Sequence, residues 1–254
     1  MRDQLRTVIR ILLVVTLVAG IALGAYCLWP VADREIDDIS AGVYYDSFAK
    51  EAMVITREQF ISGIEEQDSK YLAPENRSSM NGWLHIPGTS IDYPVMQEEE
   101  GREGYYLKHR PDGVRSSSGS LYIPEGDTIS SDNVIIYGHH MRNGTMFGSL
   151  KRYKDRLWAL DHRDIELITP DGIKRYKVAA VIVQSTGSRR LFWEDYIDLT
   201  ERERGEEYLN KALRLSLVDL PQIDTEDTEQ PRFLTLVTCD YTVSNGRLVI
   251  VAVG

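Results

Sequence analysis

The hydrophobic pattern begins with one uninterrupted apolar run near the amino terminus, at 11–29. At about 1.5 Å per residue, a helix of this length nearly spans the roughly 30 Å hydrocarbon core of a bilayer. Three arginines precede the run and mostly acidic residues follow it, so the positive-inside rule predicts a transmembrane helix with its amino terminus in the cytoplasm. A cleaved signal peptide is the alternative, but its apolar region is normally about 7 to 15 residues long and ends in small residues. This run is longer and closes on Tyr26, Cys27, Leu28 and Trp29.

The pattern then changes from helical to strand-like. Between Asp37 and Tyr71 apolar residues recur at helical spacing, which predicts two helices. After Pro74 the chain carries short β-rich runs separated by glycine, proline, asparagine and aspartate, a texture typical of strands and turns. Eight strands are predicted, at 83–86, 91–96, 119–123, 133–137, 164–169, 175–184, 233–238 and 247–253. Eight strands with few long helices indicate a mainly β domain, either a closed barrel or a sandwich.

One helix interrupts the predicted strands. Apolar residues alternate with charges between about 200 and 217, which predicts an amphipathic helix inserted before the strand at 233–238. We therefore expect three parts: a cytoplasmic tip and transmembrane anchor at 1–30, a helical stalk at 31–75, and one β domain at 76–254.

Composition excludes several classes of protein. With 43% apolar residues the 254-residue chain can bury a core, which excludes a wholly disordered protein. The 29 basic and 39 acidic residues leave a net charge of −10, which argues against nucleic acid as a partner. Two cysteines are too few for a disulfide framework or a four-cysteine zinc site.

Cys239 is the first residue that could carry chemistry. Cys27 lies in the predicted span, so Cys239 would be a lone thiol in an external domain, where oxidation threatens it. A thiol of this kind is either a nucleophile or simply a small buried apolar residue, and the residue alone does not distinguish the two.

A histidine pair and an arginine accompany this thiol. His139 and His140 follow the predicted strand NVIIY and Gly138, and therefore leave the sheet at a strand end. Arg247 begins the strand that pairs with the strand of Cys239 if the two form an antiparallel hairpin. A surface arginine and a metal-binding histidine pair are the alternatives, although no third and fourth ligand has zinc spacing.

These residue types suit acyl transfer. A neighbouring imidazole or cation raises the thiolate fraction of a thiol whose pKa is ordinarily about 8.5, and the imidazole can protonate a leaving amine. A guanidinium, which never loses its proton, can hold the developing oxyanion. The residues therefore favour a thiol enzyme or, if Cys239 is inert, a non-enzymatic binding domain.

The motifs together resemble the sortases of Gram-positive bacteria. The resemblance lies in TLVTCDY (235–241) followed by Arg247, in YGHHM (137–141), and in NGWLHIPGTSIDYPV, GSLY and NGTMFGSLKRY (81–95, 119–122 and 143–153). The stalk helices and the inserted helix are similar to the class B branch. The resemblance implies an eight-stranded sortase-type β-barrel and a cysteine transpeptidase.

Such an enzyme cleaves a sorting signal near the carboxyl end of an exported protein, holds it as a thioester and transfers it to an amine. The motifs imply Cys239 as nucleophile, His139 as acid and base, and Arg247 as the clamp for oxyanion or substrate. His139 is preferred to His140 because the family histidine directly follows the glycine. Thr238 is implied to help bind substrate.

The resemblance also implies partners and a location. The partners are secreted proteins that carry sorting signals and an amine of a peptidoglycan precursor, while no cofactor, metal or nucleic acid is expected. Residues 76–254 become an extracellular catalytic domain on a single-pass membrane protein. A membrane-tethered thiol protease that transfers acyl groups to water remains an alternative, as does a non-enzymatic surface protein built on the same barrel.

Overall fold

The computed structural model describes residues 2–54, 79–187, 191–224 and 230–254. The chain divides into two compact units, 1–41 and 42–254. A single 53-residue helix, α1 (Arg2–Val54), begins in the first unit and ends in the second. The sequence predicted a separate helix from Asp37 onward, but α1 continues through this point because no proline follows Pro30 inside it and one glycine is tolerated in a long helix. The second predicted stalk helix falls outside the described residues.

The first unit is a helix with an apolar surface. Large apolar side chains along it are exposed, among them Leu13, Leu17, Ile21 and Leu28. Among the described residues, this is the one helix that is long and apolar enough to cross a membrane, by its length and composition. The predicted span at 11–29 therefore lies in a helix, as expected.

The second unit is built around a closed barrel of eight strands. The strands are β1 (Met80–His85), β2 (Asp92–Gln97), β3 (Leu121–Ile123), β4 (Asn133–Tyr137), β5 (Asp164–Thr169), β6 (Gly172–Ser185), β7 (Phe233–Asp240) and β8 (Gly246–Val253). Their order around the barrel is β1-β2-β3-β4-β7-β8-β6-β5. The barrel, rather than the sandwich, is therefore the observed architecture.

β3 is shorter than its sequence pattern suggested. Gly119 has φ +54°, which is outside the strand region and favours glycine. A Cβ at this position would lie 2.5 Å from the Tyr106 carbonyl oxygen, so only glycine fits. The chain therefore enters the sheet at Leu121 instead of Gly119.

The barrel is apolar on both faces of β7, which explains the continuous apolar run of that strand. Leu234 and Leu236 point into the barrel core, whereas Phe233 and Val237 pack in a second cluster. That cluster contains Tyr208 of the inserted helix α3 (Arg202–Leu215). A strand covered on both faces needs no polar alternation.

The last turns of α1 pack on the barrel. The rings of Phe48 and Trp83 lie edge to face with centroids 5.2 Å apart, and Tyr45 meets Tyr93 in the same way. The Tyr45 hydroxyl donates to the Gly119 carbonyl. Residues 42–50 therefore help to fix the loop that precedes β3.

Two shorter helical segments, a 3-10 helix at Phe147–Lys154 and α2 (Arg156–Asp161), follow β4.

Candidate active site

Cys239 and Arg247 face each other across a strand pair. β7 and β8 run antiparallel, and their register places Cys239 directly opposite Arg247. Residues directly opposite on an antiparallel pair project their side chains from the same face. Both side chains are half-buried, and Cys239 forms no disulfide. The hairpin that the sequence predicted is therefore present, and it brings a thiol and a guanidinium together.

The turn that joins these strands is closely packed. A Cβ on Gly246 would lie 2.6 Å from the Asp240 carbonyl oxygen, and Asn245 before it adopts φ +50°. The buried Asp240 carboxylate accepts hydrogen bonds from the Thr242 backbone N–H (2.9 Å) and from the Lys154 ammonium. Burial alone would raise the pKa of Asp240, but the bonds from Lys154 and Thr242 hold it below its ordinary value. The residue after Cys239 is thus anchored as an ionised carboxylate.

His139 reaches the same edge of the sheet through the parallel pairing of β4 and β7. Tyr137, the last residue of β4, pairs with Val237, so both strands run on in the same direction toward His139 and Cys239. His139 Nε2 lies 2.7 Å from the Leu107 carbonyl oxygen. A carbonyl only accepts, so Nε2 must carry the hydrogen, and in the neutral ring Nδ1 has the lone pair that can take a proton.

His140 also lies at this edge, in a different role. Its Nδ1 is 2.7 Å from the backbone carbonyl oxygen of Cys239, and its ring centroid is 5.1 Å from that of Tyr241. By the same argument Nδ1 carries the hydrogen. His140 therefore ties the loop after β4 to the backbone of the cysteine, whereas His139 is tied to Leu107.

Thr238 is buried beside the cysteine. Its hydroxyl donates to the Gly138 carbonyl oxygen at 2.8 Å, and its side chain is 2% exposed. This bond joins β7 to the residue that precedes His139. A direct contact of Thr238 with substrate stays a prediction; while the hydroxyl keeps this bond, it can only accept a hydrogen bond from the substrate.

Two other histidines have local structural partners. The rings of His109 and His162 stack on Tyr105 and Trp158, four residues earlier in each case. Their Nδ1 atoms lie 2.9 Å from the carbonyl oxygens of those same residues. These local contacts indicate a structural role for both histidines.

Sequence reasoning missed the groups that support the site. The Leu107 carbonyl lies in the loop 98–120, which has no periodic pattern, and the Lys154–Asp240 pair joins residues 86 positions apart. The acidic residue immediately after Cys239 was visible in the sequence, but its cationic partner was not.

No group of three or more histidine, cysteine, aspartate or glutamate side chains is arranged to hold a metal within the part of the chain that the structure describes.

Comparison with known proteins places the chain in a family. The family model described as a sortase domain matches residues 84–254. Sortase B of Listeria monocytogenes is 31% identical over 175 residues, which cover 67% of this chain and 68% of that protein. The structure of Clostridium perfringens sortase B is 28% identical, with a TM-score of 0.62, and covers 70% of this chain and 95% of its own.

A structure of Staphylococcus aureus sortase B bound to its substrate shares the fold. It is 21% identical, with a TM-score of 0.69, over 86% of this chain and 97% of its own. From the matched domain and its class B relatives, this chain belongs to the sortase family, in its class B branch, and is a cysteine transpeptidase.

Proposed function

We propose that Cys239, His139 and Arg247 carry the transpeptidation. The observation that supports this most is their convergence: Cys239 and Arg247 are register partners on β7 and β8, and His139 follows the strand parallel to β7. The substrates we propose are exported proteins with a carboxyl-terminal sorting signal. The acceptor is an amine of a cell-wall precursor.

The first half of the reaction forms a thioester. The Cys239 sulfur attacks the carbonyl carbon of the scissile peptide bond, and His139 Nδ1 holds the proton that the thiol gives up. Arg247 donates hydrogen bonds to the oxyanion, a type of contact worth about 3 to 4 kcal/mol of barrier. The C–N bond then breaks and His139 gives its proton to the leaving nitrogen. The part of the sorting signal beyond the cleaved bond is released, and the rest of the protein stays on Cys239 as a thioester.

The second half returns the enzyme to its starting state. An acceptor amine attacks the thioester carbonyl, His139 takes a proton from the attacking nitrogen, and Arg247 again holds the oxyanion. The C–S bond breaks and the sulfur recovers a proton. The product is a new amide bond, so the balance of the reaction is one peptide bond exchanged for another.

We place the protein in the cell membrane through α1, with residues 76–254 outside the cell. The apolar side chains exposed along the first unit support this, as does the order of charges around 11–29. A tethered active site would meet secreted substrates still in the membrane and lipid-linked wall precursors, at raised local concentration. Labelling with a membrane-impermeant thiol reagent on intact cells tests the placement, because Cys239 must then react. If Cys239 reacts only after the cells are lysed, the placement is contradicted.

The chemistry is tested with the full-length protein in detergent micelles. A library of candidate sorting peptides is supplied with and without triglycine, and mass spectrometry searches for an acyl group on Cys239. We expect a thioester in the wild type, aminolysis product only with the amine, and neither with Cys239→Ala. Arg247→Ala should retain the fold but lose cleavage. Hydrolysis without any aminolysis product would instead favour the thiol protease.

A further inference from the structure

A cavity of about 460 Å³ is lined by residues of β3, β4 and the loops after β2 and β3. This size lies within the range of about 300–1,000 Å³ that is typical of small-ligand pockets. Its wall includes Leu107, whose carbonyl holds His139, and Tyr137 at the end of β4. Tyr122 lines it as well, and the charges of both Glu98 and Arg247 act on this phenol, whose pKa is raised chiefly by burial. The cavity is therefore within electrostatic reach of the reacting groups.

The charged side chains that line this cavity are all acidic. Glu98 and Glu103 come from the loop after β2, and Glu125 comes from the loop after β3. No lysine or arginine is among the described residues that line it. We call this cavity, with its three carboxylates, the acidic pocket.

Glu98 is the unusual member of the three. It is 5% exposed, and its Oε1 has no hydrogen-bond partner among the residues that the structure describes. Burial raises the pKa of Glu98, the neighbouring Glu103 and Glu125 raise it further, and hydrogen bonds from the backbone of Gly104 and Tyr105 oppose the rise. A buried acceptor without a donor is costly, and a ligand that brings both a donor and a positive charge removes this cost.

The chemistry of that ligand can be narrowed. The described carboxylates do not gather in an arrangement that could hold a metal ion, so the ligand is a cation with hydrogens to donate. A primary ammonium carries a compact charge and three N–H donors, one for each of up to three acceptors. The reaction proposed above already consumes a primary amine, and a peptide substrate can carry another on a lysine.

We propose that the acidic pocket binds a primary ammonium group of one of the two substrates, either the acceptor amine or a lysine of the sorting signal. This proposal rests on the proposed function, because it assumes that a peptide and an amine meet beside Cys239. Glu98 supplies the buried acceptor, and the exposed Glu103 and Glu125 supply attraction at the entrance.

The test uses full-length protein in detergent micelles and carboxylate-to-amide substitutions. The variants are Glu98→Gln, Glu103→Gln, Glu125→Gln and the triple variant. Glu100→Gln is the matched control, because Glu100 is an exposed acid of the same loop but does not line the cavity. Since Glu103 and Glu125 are exposed, their variants should fold even if Glu98→Gln does not.

The first arm examines the sorting signal. Peptides that form a thioester are compared in pairs that carry lysine or acetyl-lysine at one position. If a lysine enters the pocket, kcat/KM should favour it over acetyl-lysine by about tenfold or more, the range expected for hydrogen bonds to charged groups. The triple variant should reduce this preference to about one, while Glu100→Gln keeps it.

The second arm examines the acceptor, with triglycine as the probe. If the acceptor amine enters the pocket, the triple variant should raise the KM for triglycine by about tenfold or more, with the rate of thioester formation unchanged. Either result supports the proposal and identifies the source of the ammonium.

The proposal is overturned if thioester forms normally and all variants match the wild type in both arms. A wild type that forms no thioester with any peptide contradicts the proposed function instead, so the two failures are distinguishable. A loss in Glu98→Gln alone, with Glu103→Gln and Glu125→Gln unchanged and a lower melting temperature, would indicate a structural role for Glu98 and also overturn the proposal.

Discussion

The adjacent histidines offer the sharpest test of the proposed mechanism, because each has one nitrogen committed to a different carbonyl. His139→Ala removes the proposed acid and base, and such a group typically contributes about 10²- to 10⁴-fold to the rate. His140→Ala removes one hydrogen bond, 2.7 Å long, to the backbone of Cys239. A neutral bond of this type is worth about 0.5–1.5 kcal/mol, so its full expression in the barrier costs about tenfold at most.

We therefore expect kcat/KM to fall much further in His139→Ala than in His140→Ala. The assay is cleavage of a fluorescence-quenched sorting peptide by full-length protein in detergent micelles, with urea unfolding of each variant recorded in parallel. His140→Asn is the matched control. Its side-chain amide can still donate to the Cys239 carbonyl, so activity should recover toward the wild type relative to His140→Ala.

The reverse order would refute this reasoning. If His140→Ala is inactive and His139→Ala retains most activity, then His140 is the proton carrier and the Leu107 bond merely holds a structural histidine. Equal and small losses in both variants would mean that neither imidazole transfers the proton.

Three further substitutions test the supports of the site. The Cβ added by Gly138→Ala would meet two buried apolar side chains, which should displace the segment that leads to the histidines. We therefore expect kcat to fall strongly in a protein that remains folded. Unchanged kinetics would show that this segment adapts freely. Tyr208→Phe should lower the free energy of unfolding by about 1 kcal/mol, since the hydroxyl lies 2.6 Å from Thr235 Oγ1; urea titration checks this, and an unchanged midpoint contradicts it. Asp240 has a lowered pKa in the folded state, so it stabilises the wild type above its unfolded pKa of about 3.9, and this contribution is lost as pH falls through the folded value. Asp240→Asn should lack this part of the acid dependence in melting curves, and an identical dependence in the variant would remove the role given to Lys154.

Much of the barrel could be predicted from local pattern. The bounds of β4 and β5 agree with the sequence, because each is a short run of β-favouring residues between turn residues. β3 differs at Gly119, where a positive φ imposed by the Tyr106 loop overrides the strand pattern. The continuous α1 differs from the predicted pair of helices because periodicity alone does not locate an interruption.

Part of the proposed active site could likewise be predicted from local pattern, and part of it could not. The Cys239–Arg247 pair follows from a hairpin, in which a short turn sets the register and hence which side chains are opposite. The approach of His139 and His140 depends on parallel pairing between β4 and β7, strands about a hundred residues apart, and no local pattern encodes such a pairing.

The sequence by itself therefore determined most of the strands, the apolar amino-terminal helix and the identities of the proposed thiol, imidazole and guanidinium, since these depend on residue type and short-range periodicity. Only the tertiary structure decided which carbonyl each histidine bonds, and that Glu98, Glu103 and Glu125 line one cavity. The physical reason is that closing the barrel brings together loops whose own residues lack any regular pattern.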